Sequence, residues 1–183
     1  NNYDLVAVLR NPNLQWSANK VNYSFIADNV KASGENFILP LVEKYVFIPN
    51  VDISGGVSDL ILSVDDVQWQ RIKNFKDFPI TEFVVSNQQF DNLNDLSENK
   101  QAGGRLTFDL TNNSAYSFWQ VMVTTVLKSG GAVVAITNRV FDDFTSGQTQ
   151  SATFFWNVNS DNVTSVEVKA EVNVLDKSVF KQL

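Results

Sequence analysis

The chain has 183 residues, 44% of them hydrophobic, with 14 basic residues against 20 acidic ones. That is too apolar for a disordered chain and is sized for one large domain or two of about 90 residues. It contains no Cys and no His, which excludes thiolate zinc sites, disulfides, Cys nucleophiles and Ser-His-Asp triads. The net charge of −6 argues against a phosphate-backbone binder.

No run of eighteen apolar residues occurs, so no membrane-spanning helix is expected within the sequence. A chain beginning Asn1-Asn2-Tyr3 reads as processed or trimmed, with an anchor or signal expected upstream. The absence of Cys suits a reducing cytosol and equally a surface protein that avoids thiol chemistry. Enrichment in Asn, Ser and Thr with Val and Phe leans towards an extracellular β-rich protein. Sequons occur at Asn22, Asn112 and Asn162.

In chain order, apolar residues mostly alternate at period two, the signature of half-buried strands. Leu5 to Arg10 opens the series, followed by a turn at Asn11-Pro12-Asn13, Trp16, and a strand from Val21 to Ile26. Ala32-Ser33-Gly34 reads as the next turn, Pro40 to Lys44 as another, and Tyr45 to Ile48 as an aromatic strand. After Ser54-Gly55-Gly56, a long strand runs from Val57 to Trp69. Its apolar row steps from Leu60, Leu62, Val64 to Val67, Trp69, so an inserted residue, a bulge, is expected at Asp65-Asp66. A weak helical pattern spans Val67 to Phe78.

The same order of features then repeats about a hundred residues later. Leu106 to Ser114 matches Leu5 to Asn13, and Phe118-Trp119 followed by Val121 to Val126 matches Trp16 and Val21 to Ile26. Ser129-Gly130-Gly131 and Thr145-Ser146-Gly147 supply the turns. Thr153 to Trp156 is the aromatic strand, and Val163 to Leu175 the closing one. Two tandem copies of one β-sandwich are expected, residues 1–76 and 77–183. The second copy has an extra leading strand, Thr81 to Ser86, while only Asn1-Asn2 precede the first strand of the first copy. Either that opening strand has been trimmed away, or the first copy presents an unfilled edge at Leu5 to Arg10 for a partner strand.

The residues Arg10-Asn11-Pro12-Asn13, Thr111-Asn112-Asn113-Ser114, Val126 to Gly131 and Thr145 to Thr149 resemble bacterial extracytoplasmic sandwiches of the FxLYD type and the late-embryogenesis-abundant (WHy-type) β-sandwich. Lys128-Ser129 stands where the Tyr-Asp of FxLYD would fall. Phe37 to Pro40 and Glu171 to Asp176 are also similar to segments of membrane-anchored proteins from small-genome candidate-phylum bacteria. The resemblance implies two immunoglobulin-like antiparallel β-sandwiches, outside the cytoplasm and anchored to a membrane through a removed N-terminal segment.

Candidate chemistry is sparse. Asp65-Asp66 and Asp142-Asp143 are adjacent, so on a strand their carboxylates point apart and form no acid/base couple. Asp91, Asn94, Asp95, Ser97 and Glu98 make an oxygen-rich loop, a weak calcium candidate without EF-hand spacing. Interaction candidates are Leu5, Ala7 and Leu9 on the open edge, and Trp16, Trp119 and Trp156 as exposed rings; Phe154-Phe155-Trp156 must send neighbouring rings to opposite faces. The expectation is a non-catalytic structural or protein-interaction module at the cell surface, with no cofactor and no nucleic-acid partner. The alternatives are a filament or assembly subunit completed by a neighbour's strand, and a carbohydrate-binding module using exposed aromatics.

Overall fold

A computed structural model describes residues 2–74, 79–93, 103–157 and 160–181. The described chain is all-β, and its sheets are antiparallel. It divides into two compact units, Asn1–Phe78 and Pro79–Leu183. Among the described residues, no helix is long and apolar enough to cross a membrane.

The first unit holds β1 (Asn2–Arg10), β2 (Trp16–Ala27), β3 (Val30–Ile38), β4 (Glu43–Asp52) and β5 (Leu60–Arg71). β1 pairs with β4, and β3-β2-β5 form the opposing sheet. Period-two alternation drives this layering. Leu5 of β1 and Val46 of β4 meet Tyr23, Phe25 and Ala27 of β2 in one buried cluster, with Ala7, Leu9 and Leu62 packed around it. A second cluster of Ala18, Val21 and Ile38 lies against Leu9 and Val67.

The second unit holds β6 (Phe83–Asn92), β7 (Gly104–Asn112), β8 (Phe118–Ser129), β9 (Ala132–Phe144), β10 (Thr149–Trp156) and β11 (Ser165–Glu171), then a 3-10 turn at Lys177–Val179. Its sheets run β10-β7-β6 and β11-β8-β9. Aromatics fill the space between them: Phe83 stacks on Phe144, Phe108 on Phe154, and Phe154 on Trp156.

Two readings of local structure are corrected. The helical pattern expected from Val67 to Phe78 is not realised at its start: β5 continues to Arg71, because pairing with β2 carries through Trp69 to Ala18 and Arg71 to Trp16, while residues 75–78 lie outside the described residues. Its period-two row outlasts the weaker helical pattern. Ala32-Ser33-Gly34 is not a turn but the middle of β3. The hairpin turns instead at Asp28-Asn29, with Asp28 at φ 49°. Gly34 serves close approach: it lies opposite Tyr23, and a Cβ there would fall 2.5 Å from the Tyr23 ring. The Gly130 and Gly131 turn does use left-handed backbone, at φ 55° and 89°. The register shift expected at Asp65 is present: Asn22 faces Asp66 and Tyr23 faces Val64, leaving Asp65 as the extra residue.

Candidate functional site: the open side of the first unit

Among the described residues, the two units differ by one strand. In the second, β7 is flanked on both sides, by β10 and β6. In the first, the corresponding strand β1 pairs with β4 alone among the described residues. The correspondence is anchored by a shared device. Asn11 and Asn112, each just after its strand, are both buried. Asn11 Nδ2 donates to Trp16 O (2.7 Å) and Leu39 O (3.1 Å), and its Oδ1 accepts from Asn13 N. Asn112 Nδ2 donates to Tyr116 O (2.9 Å) and Phe144 O (3.1 Å), and its Oδ1 accepts from Ser114 N. Each backbone N–H also donates to the residue before the neighbouring strand, Val42 O and Gln148 O respectively. Stepping back from these asparagines, Leu5, Ala7 and Leu9 take the places of Leu106, Phe108 and Leu110.

On that side of the first unit apolar surface is exposed. Across from the buried residues of β2, the inner row of β5 is Leu60, Leu62, Val64, Val67 and Trp69. Leu60 is 44% exposed, and Val64 and Trp69 are each 50% exposed. In the second unit, the matching row Val166, Val168 and Ala170 on β11 is half-buried throughout. There β6 crosses close to β11, and Gln88 Nε2 donates to Val166 O (3.3 Å). β4 lies over β3 and β5 is on the opposite side of its sheet, so β5 runs beneath the vacant flank of β1. The result, among the described residues, is an open side with the edge of β1 on one sheet and the exposed apolar row of β5 on the other.

The expected site residues fall as follows. Leu5 is core, and Ala7 and Leu9 pack inward, so what β1 offers a partner is its backbone edge together with the outward row Asp4, Val6, Val8 and Arg10. Trp16 and Trp119 are exposed, and Lys181 Nζ lies over the Trp119 ring (5.1 Å). Trp156 is corrected: it is only 8% exposed, packed against Phe90 and Phe154, because alternation sends Phe155 outward in its place. Its Nε1 has no hydrogen-bond partner among the described residues.

Asp91 lies on β6, where its Oδ2 accepts from Arg105 Nη2 (2.6 Å) and Nε (3.0 Å) of β7. Those bonds, with one from Gln89, hold its carboxyl below the usual range. Asn94, Asp95, Ser97 and Glu98 lie outside the described residues, and among the described residues no three acidic or other metal-ligating side chains group together. Asp65 accepts from Ser63 and Ser24, and with Lys31 nearby these lower its pKa. Asp142 accepts from Gln120 on the paired strand β8, and Asp143 pairs with Lys181 beyond the last strand. Of the sequons, Asn112 is buried in the device above, whereas Asn162 is exposed in a turn.

Sequence reasoning did not single out the inner row of β5 as a surface. The signal was present as an all-apolar row, Leu60 to Trp69, but alternation alone does not tell a covered row from an uncovered one. No protein-family model, curated protein or solved structure matches this chain.

Proposed function

We propose that this chain is a non-catalytic protein-interaction module of a cell-surface, extracytoplasmic protein, built from two immunoglobulin-like sandwiches akin to the FxLYD and WHy types. The observation that carries the reading is the open side of the first unit, where an unflanked strand edge stands over an exposed apolar row. Sheet edges with unsatisfied partners and contiguous apolar surface are the features through which sandwiches recruit other chains. The composition and the family resemblance support the extracytoplasmic placement.

A second reading follows from the same edge: the chain is a subunit of a surface assembly in which a neighbour supplies the flanking strand. One experiment addresses both. A photo-crosslinking residue placed at Val8, which points outward on β1, is irradiated on intact source cells, with Val134 of β9 as the control position. Adducts at Val8 mapping to an extended segment of a surface protein are the expected result. Adducts at Val134 but none at Val8 would overturn both readings.

A further inference from the structure

We propose that Lys44 and Asn36 join covalently in the folded first unit: the Lys44 amine displaces ammonia from the Asn36 side-chain amide, leaving an isopeptide bond between β4 and β3. This is a modification site at the edge where β4 lies over β3, independent of the open side.

Alternation sends both side chains inward. Lys44 stands opposite Leu9 of β1, and Asn36 opposite Val21 of β2, and both of those partners pack into the core. β3 and β4 belong to facing sheets, so a bond between these side chains ties one sheet to the other. Lys44 is only 3% exposed, and lysine is almost never buried to that degree without a partner. Its Nζ donates to Asn36 Oδ1 (2.7 Å) and lies 3.9 Å from the centre of the Phe37 ring.

The fold does not require a lysine here. Leu9 and Leu110 correspond, so Gln150 of β10, opposite Leu110, takes the place of Lys44 in the second unit. Gln150 donates to Asp142 O (3.3 Å). The first unit therefore carries a nucleophilic amine where its sibling carries an unreactive amide.

The contact is arranged for attack. A C=O bond of about 1.2 Å puts Nζ no more than about 3.9 Å from Asn36 Cγ, near the separation of about 3–3.5 Å from which bonded attack proceeds. Asn36 Oδ1 also accepts from Phe37 N (2.9 Å). That N–H polarises the carbonyl and stays on the oxygen as negative charge gathers there. Removal from water favours the neutral form of an amine, which is the form that attacks. Nζ bonds to Cγ, and the Cγ–Nδ2 bond breaks. The lysine ammonium sheds two protons and Nδ2 takes both, so ammonium ion leaves, charge is conserved and nothing is oxidised or reduced. Holding amine and amide together in one buried site raises their effective concentration far above any in solution, and the bond forms as a slow maturation of the folded chain.

The test is mass spectrometry of the whole chain, fresh and after prolonged incubation in the folded state. A species lighter by about 17 Da, one ammonia, is expected, and its share should grow with time. Its trypsin digest should contain one branched peptide joining the segments of Lys44 and Asn36, uncleaved after Lys44. Lys44→Arg keeps the charge and the donor but removes the nucleophile, and should hold full mass. The digest reads the unaltered chain, so it decides the matter even where the variant fails to fold. Full sequence mass in the aged, folded chain overturns the proposal. The same loss persisting in Lys44→Arg, or mapping to a succinimide at another asparagine, overturns it as well.

Discussion

Asn11 and Asn112 make the same set of bonds in the two units: each amide spans two carbonyls from different segments while its oxygen closes a turn on the residue two further on. Both side chains are buried, so replacing either strands carbonyls away from water. Asn112→Ala and Asn11→Ala should each destabilise by roughly 2–4 kcal/mol, at about 1–3 kcal/mol per unsatisfied group. Denaturant titration gives the loss, and amide exchange locates it in the unit that carries the substitution. An effect below about 0.5 kcal/mol would show that the asparagine only decorates the turn.

Gly34 exists for Tyr23. Gly34→Ala would place a methyl group into the Tyr23 ring, which packs edge-on to Phe25 and would have to be pushed aside. Overpacking of this kind costs about 1–3 kcal/mol. The ring also reports itself. Burial raises the Tyr23 pKa, so a displaced ring should titrate closer to an ordinary tyrosine. Ultraviolet titration of the folded variant checks this, and an unchanged profile would mean the strand shifted instead of the ring.

Stability should fall at acid pH and stay flat through neutrality. Ser63 and Ser24 lower the pKa of Asp65, Arg105 and Gln89 that of Asp91, and Ser151 and Asn87 that of Asp109. Burial pushes Glu167 up, but Lys128 and Lys169 outweigh it and leave the group lowered. A carboxyl whose folded pKa is depressed contributes stability above its unfolded pKa, near 4, and loses that contribution as pH falls through the folded value. Melting temperature should therefore be level between about pH 5 and 8, where no His titrates, and drop below about pH 4. Asp109→Asn should make the acid limb shallower. A step in stability near pH 6 would contradict this assignment.

Val64 sits midway along the uncovered row of β5. Val64→Glu, on the inner row opposite buried Tyr23, should destabilise the first unit by no more than about 1–2 kcal/mol, yet remove the adducts expected at Val8 by placing a charge on the apolar row beneath β1. Photo-crosslinking at Val8 alongside denaturant melting separates the two effects. Adducts at Val8 retained at the wild-type level would place the partner elsewhere.

Much of the architecture was legible because alternation is a local property. Val121, Val123, Thr125 and Leu127 are all buried, as their spacing implies, and the bulge at Asp65 followed from the shift in the apolar row. Where reading failed, a non-local partner decided. Gly34 has a turn residue's identity but a strand's role, which only Tyr23 on the facing strand explains. Trp156 and Phe155 are neighbours, and which one faces the core depends on the pairing of β10 with β7. The open edge was legible from comparing the two halves, since each supplied the other's template. The apolar floor beneath it was not, because exposure depends on what a neighbouring sheet covers.

The unequal number of described strands in the two units has a calorimetric consequence. Among the described residues the first unit has no strand in the place of β6, so in this chain it should unfold first, giving two transitions where equal repeats would merge into one. A ligand that binds only the folded first unit raises its transition by mass action and leaves the other where it was. The interval between the two transitions is then an internal gauge of occupancy, with the second unit as its fixed mark.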